Sequence, residues 1–325
     1  MRIMKCTIIS RFLTSAVVGL AAVSAMAGPL FPFVSNNRWG YMDKSGKQVI
    51  GPQFERAQNF SGDLAPVRMG HWGYANTSGK IIINPQFDQA TSFREGLALV
   101  ELDHRWGYIN DDGKYVVNPQ FDEAHSFYSG LAAVESAHRW GYIDKSGKLV
   151  INPQFETAGD FSEGLAFAET NDRFGYIDSS GKFIINPQYE DARSFYSGMA
   201  AVRVNRRWGY IDKSGKMVIN PQFEEAQFFV KGLAAVRINR RWGYIDTTGK
   251  IIINPQFEDA GEFSEGLARV KSGRRWGYVD KQGNYAINPQ FDEAKSFADG
   301  LAQVHLGRKV GYVKSDGKYV WNPIN

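Results

Sequence analysis

The sequence predicts an all-β protein made of a tandem repeat, and two observations carry that prediction. A unit of the form RWGYIDKSGKxVINPQFExAxxFSxGLAxVxxx is written nine times, and in each copy the turn residues cut the unit into short strands. Its anchor pair falls at Trp39-Gly40, Trp72-Gly73, Trp106-Gly107, Trp140-Gly141, Phe174-Gly175, Trp208-Gly209, Trp242-Gly243, Trp276-Gly277 and a degenerate Val310-Gly311. Successive anchor glycines lie 33 residues apart once and 34 apart seven times. A fixed period in this range means that each unit buries its apolar face against its neighbours rather than around one centre.

The copy that starts at Leu233 shows the elements in order. Residues 233–238 (LAAVRI) read as a short strand, 239–241 (NRR) as a tight connection and 242–246 (WGYID) as a second strand. Asp246-Thr247-Thr248-Gly249-Lys250 has the form of a type I turn closed by a left-handed glycine. Asp or Asn opens this turn in eight copies, because its short side chain accepts bonds from the turn's own amides; Lys314 is the exception. Residues 251–254 form a third strand, ended by Pro255, which has no N–H for a ladder. The rest, 256–266, is a return segment with Phe257, Ala260 and Phe263 at spacing three, which fits one helical or 3₁₀ turn laid on the sheet. Gly266 closes it, at a position that calls for positive φ or a close approach.

Each unit is thus a three-stranded antiparallel meander of about 34 residues. The expected assembly is an open, curved, solenoid-like array, with a closed, propeller-like toroid as the alternative. A propeller blade generally takes four strands and about 40 residues or more. Closure also generally shows as a strand exchanged between the termini. This chain begins on a poor first strand at 30–34, LFPFV, and ends after the third strand of the ninth unit, so the exchange is not clean.

The N-terminus is a separate object. Arg2, Lys5 and Arg11 precede an apolar or small stretch from Phe12 to Val23, and Ala25-Met26-Ala27 follows as a cleavage site. Residues 1–27 therefore read as a secretory signal peptide and 28–325 as the repeat domain, exported to the periplasm or beyond the cell. The apolar stretch is shorter than the ~20 residues a membrane helix needs, so no span is expected in the mature chain. Cys6, the one cysteine, goes with the leader, leaving neither disulfide nor cysteine metal site. Removing three positive charges and no acid lowers the net charge from +4 to +1, which points to no nucleic-acid or membrane partner.

Trp140 to Lys148 (WGYIDKSGK), Ile151 to Phe155 (INPQF) and Phe161 to Ala166 (FSEGLA) resemble the WG-repeat proteins of bacteria. The resemblance covers roughly residues 38 to 323. It implies an all-β repeat domain and brings no catalytic residue with it.

Three repeated features are candidates for function. The Trp row shares a face with the Tyr two residues on, and reads either as an interface plug or as a binding ladder; Phe174, which keeps the bulk and drops the N–H, favours the plug. The residue after the PQF aromatic is acidic in every copy that has one, as in Glu190, Glu224, Glu258 and Asp292, often beside a second acid such as Asp191 or Glu225. One carboxylate is enough to cap the following turn, whereas Ca²⁺ wants six to eight oxygens, so no metal is expected. Finally, the hairpin tips become doubly basic in the second half: Arg206-Arg207, Arg240-Arg241, Arg274-Arg275 and Arg308-Lys309. In register these form a stripe suited to an anionic polymer, or a charged edge that discourages strand-to-strand aggregation.

Catalysis finds no footing. His71, His104 and His138 sit at tips, His125 in a return segment and His305 after a first strand; no two have metal-ligand spacing, and no phosphate loop or nucleophile setting occurs. No cofactor is expected. The sequence points to a monomeric, non-catalytic scaffold for protein–protein interaction, or alternatively to a binder of envelope polysaccharide through the basic tips.

Overall fold

The computed structural model describes residues 28–323, so the expected leader and Cys6 lie outside the described residues. Within that span every regular element is a strand, and the strands form nine small antiparallel sheets. The first sheet consists of β1 (Phe31–Ser35), β2 (Arg38–Met42) and β3 (Gln48–Phe54). The second has four strands, β4 (Arg56–Ala57), β5 (Leu64–Met69), β6 (His71–Asn76) and β7 (Ile81–Phe87), in that order. The same four-stranded sheet then recurs at 89–121, 123–155, 157–189, 191–223, 225–257, 259–291 and 293–321, giving blades three to nine.

The fourth strand corrects the expected helical turn. The return segment leaves the preceding third strand after a single residue and immediately pairs with its own first strand, as in Ala226↔Val236. Only two residues pair before the chain turns at the glycine in most blades, so alanine and phenylalanine three apart mark a strand followed by a bend. The proline of the third strand is also placed differently from expectation. It lies inside the strand, at a bulge where Trp208 pairs with Phe223 but Tyr210 pairs with Ile219.

That bulge explains the glycine of the Trp-Gly pair. A Cβ on Gly209 would come 2.5 Å from the Ile219 carbonyl oxygen and 2.7 Å from the Pro221 nitrogen, so no side chain fits under the bulged strand. The Asp turn forms as its residues predict: Asp246 Oδ1 accepts from the amides of Thr248 and Lys250, and Gly249 has φ 86. Three of the basic tips are two-residue turns with both residues left-handed, as in Asn205 at φ 48 and Arg206 at φ 61, the primed geometry that suits a twisted hairpin.

Blades pack large face on small face. The core between blades six and seven holds Trp208, Tyr210, Ile219 and Phe223 from one side and Ala226, Phe229, Ala234, Val236 and Ile245 from the other. The anchor tyrosine is buried in every blade, and in blades one to eight its hydroxyl reaches the return segment of the next: Tyr210 to the Gln227 carbonyl at 2.8 Å, Tyr278 to that of Lys295 at 2.7 Å.

The first and last blades of the described span meet, so the array is closed and the expected open solenoid gives way to the alternative, a nine-bladed propeller. Phe31, Phe33 and Met42 of blade one pack on Leu301, Val310 and Tyr312 of blade nine. The volume balances: valine replaces the ninth anchor tryptophan, while Phe31 and Phe33 stand where blade seven has Ala234 and Val236. Other contacts repeat across the seam. The turn glycine of each blade from two to nine sits on an Ile or Val of the preceding third strand, and Gly46 of blade one sits on Val320. The degenerate termini are two halves of one interface.

Candidate functional site

The structure sorts repeated from variable residues by position. Return segments of successive blades touch one another: Ser61 Oγ donates to the Phe93 carbonyl, Ser162 Oγ to that of Phe195 and Ser264 Oγ to that of Phe297, all within 2.7 Å. They lie on the axis, because groups three blades apart in a ring of nine come near one another only there. Burial raises the pKa of the Tyr196 hydroxyl; Tyr128, Glu262 and Asp160 push it further and Arg94 opposes them. Arg94 belongs to blade three, Tyr196 to blade six and Glu262 to blade eight.

Unlike groups therefore converge on the axis, all of them from the few residues around the return-segment phenylalanine. The Arg94 guanidinium lies 4.0 Å from the Tyr128 ring centroid, and Tyr196 stacks on Phe228 with centroids 4.6 Å apart. His125 Nδ1 and Asp160 Oδ1 are 2.8 Å apart. Burial lifts the Glu262 carboxyl above its usual range against the pull of Arg269 and Arg193. The sequence alone did not reveal this set, because the return segment reads as a turn laid on the sheet and the hairpin tips draw the eye as the variable part. The available signal was the variability of the positions flanking the return-segment phenylalanine: Arg94, Tyr128, Ser162, Tyr196, Val230, Ser264 and Ala298 occupy one of them.

The anchor tryptophans sit at the tip end of the second strands, within the interblade cores. Trp208, Trp242 and Trp276 are buried, whereas Trp39, Trp72, Trp106, Trp140 and Phe174 are half-buried. Cations cover the buried ones, with Arg193 at 5.0 Å from the Trp208 ring and Arg269 at 4.8 Å from that of Trp276. The covering residue comes from one of two facing positions. Arg193 in the return segment faces Ala201, while Arg269 on the first strand faces Gly261, where a Cβ would meet its side chain at 2.7 Å.

All eight residues of the basic stripe are exposed, and they divide into two kinds. Arg206, Arg240, Arg274 and Arg308 lie in the turns themselves, while Arg207, Arg241, Arg275 and Lys309 begin the following strands. Arg207, Arg241 and Arg275 point at the acid that opens the next blade: Glu224 at 3.9 Å, Glu258 at 3.7 Å and Asp292 at 2.6 Å. Those acids cap a turn, but not the one that follows them. Glu190 accepts from the Arg206 amide at 2.9 Å and Glu224 from the Arg240 amide at 3.0 Å, each in a tip 16 residues further on. The rim is thus a ring of tips held by carboxylates, which offsets much of the arginine charge. In blade five the tip is acidic, and Glu156, Glu169 and Asp172 come together there, with Glu156 engaged by the Asn171 and Asp172 amides.

Fold and surface together define a closed β-propeller of repeated four-stranded blades. The chain belongs to the family of the WG containing repeat, whose model matches eight times, at 39–70, 72–103, 106–136, 140–173, 174–207, 208–241, 242–274 and 276–309. No curated protein matches the chain. Among solved structures, a eukaryotic initiation factor shares the fold, with a TM-score of 0.65 at 9% identity over 90% of this chain and 95% of that one. Weaker likenesses are to the dihydro-heme d1 dehydrogenase NirN, with a TM-score of 0.48 at 12% identity over 89% and 72%, and to Kluyveromyces lactis Hsv2, with 0.44 at 9% over 68% and 90%.

Proposed function

We propose that this chain is a non-catalytic interaction scaffold, exported to the periplasm or beyond, which seats a protein partner on the axial face built by its return segments. One observation carries the reading: the framework repeats almost unchanged, while Arg94, Tyr128, Tyr196, Phe228 and Glu262 differ from blade to blade and meet at the axis. A mixture of aromatic rings, a guanidinium and a carboxylate on a rigid support suits protein recognition, where aromatic and Arg anchors dominate binding energy. Repetition argues against chemistry, because most polar side chains serve turns and tips.

A second reading, capture of an anionic envelope polymer, is favoured by Arg206, Arg240, Arg274 and Arg308, which are exposed and make no ion pair with a described residue. The two separate by experiment. Envelope extract is passed over the immobilised protein, over a Tyr128→Ser/Tyr196→Ser/Phe228→Ser variant and over a variant with the four turn arginines changed to Gln. The axial reading expects the first variant alone to lose its captured protein, with little salt dependence. Loss confined to the arginine variant, steep in salt, selects the polymer instead.

A further inference from the structure

Among the described residues, the first sheet is the only one with three strands. In blade seven the inner strand is fixed by three links: Ala226 pairs with Val236, the Gln227 amide donates to the Ala235 carbonyl, and Tyr210 of the blade before donates to the Gln227 carbonyl. In blade one no described strand pairs with the inner edge of β1. The carbonyl equivalent to that of Ala235 belongs to Pro32, and it accepts the Tyr312 hydroxyl directly at 2.8 Å. A cavity of about 620 Å³ opens beside it, bounded by Lys295, Ala298 and Gln303 of blade nine and by Gln58 and Phe60 of blade two. Lys295, Ala298, Gln58 and Phe60 belong to the return segments on either side of blade one, so the cavity lies along the course that a return segment of blade one would follow. Pro32 is no obstacle to a strand there: Pro66 holds the same place in blade two, and its carbonyl accepts the Gln58 amide at 3.0 Å with β4 in position.

We propose that this slot is a docking site for an extended peptide of a partner protein, which adds as the fourth strand of blade one and carries alanine followed three residues later by phenylalanine. The ring itself specifies that chemistry. From Ala57 and Phe60 in blade two to Ala294 and Phe297 in blade nine, all eight return segments keep the pair, and the phenylalanine packs on the tyrosine of the preceding blade, as Phe229 does on Tyr210 at 4.7 Å. On insertion the peptide amide takes the Pro32 carbonyl, and the peptide carbonyl receives the Tyr312 hydroxyl. Every displaced partner is replaced, so no buried polar group is orphaned. Backbone pairing supplies affinity and the two side-chain positions supply specificity. The inference rests on the export reading only in that residues 1–27 are absent from the mature chain.

The protein is expressed at full length, purified in its exported form, and its N-terminus established by mass. A labelled nonapeptide copying residues 292–300, Asp-Glu-Ala-Lys-Ser-Phe-Ala-Asp-Gly, is then titrated in. The expected result is saturable one-to-one binding, at least tenfold weaker for the Phe297→Ala and Ala294→Glu peptides, with slowed amide exchange across residues 31–35. A chain carrying this nonapeptide sequence immediately before Leu30, in place of Pro29 so that the spacing of blade nine is kept, should no longer bind the free peptide. Absence of saturable binding, equal binding by the Phe297→Ala peptide, or a purified chain that retains residues 22–27 and binds nothing overturns the proposal. The titration is readable whether or not envelope extract yields a partner for the axial face, so the two proposals fail separately.

Discussion

The Tyr312 hydroxyl donates to the Pro32 carbonyl at 2.8 Å, joining residues 280 positions apart. Every other anchor tyrosine makes its bond 17 residues ahead, as Tyr278 does with Lys295. One side chain written nine times thus serves eight local links and one that closes the ring.

Replacing Tyr312 by Phe should cost about 1–3 kcal/mol, because it strips a buried carbonyl of its partner. Tyr210→Phe should cost a similar amount by orphaning the Gln227 carbonyl. Thermal unfolding of the two variants is the check. A normal loss for Tyr210→Phe with none for Tyr312→Phe would mean that the seam is not formed in solution.

Trp208 is 3% exposed and lies beneath Arg193 and Arg203. Its change to Ala should cost about 3–5 kcal/mol through the cavity left in the interface. The Phe variant should be milder, since Phe174 fills the same place in blade five. Denaturant midpoints measured at constant slope would compare them, and near-wild-type stability for Trp208→Ala would remove the tryptophan from the core.

On the rim the arginines and the carboxylates should behave differently. Changing Arg206, Arg240, Arg274 and Arg308 to Gln should shift stability by no more than about 0.5 kcal/mol each, as exposed charges generally do. Glu224→Gln should cost about 1 kcal/mol, since that carboxylate caps the Arg240 amide and faces both Arg207 and Arg237. Differential scanning calorimetry would test this, and the reverse ranking would refute it.

Acid should weaken the turns. Asp43, Asp144, Asp178, Asp212 and Asp246 are held below the usual aspartate range, first by a hydroxyl bond from Ser45, Ser146, Ser180, Ser214 or Thr248 and then by backbone amides. A depressed folded pKa gives stability that is full above the unfolded value, about 3.9, and is lost as pH falls through the lower folded values. Changing all five to Asn, the residue that blades two and three already carry at Asn76 and Asn110, should flatten that acid limb. An unchanged slope of stability between about pH 4 and pH 2 would contradict it.

The sequence by itself determined the repeat, three strands of each unit, the Asp turn and the all-β class, because the period is written in the chain and each of those strands and turns depends on residues close to one another along it. Asp246, Gly249 and the alternation of 242–246 need no distant partner to state their conformation. Three things were decided only by tertiary structure. The two-residue inner strand carries too few residues to show a period, and forms because the neighbouring first strand offers an edge. The glycine after each tryptophan is dictated by the bulged third strand crossing above it. Closure depended on adding Phe31 and Phe33 at one end to Val310 and Tyr312 at the other, a volume match between residues that no local window contains. The axial set was equally hidden, since Arg94, Tyr128, Tyr196 and Glu262 become neighbours only when the eight return segments are turned toward one axis.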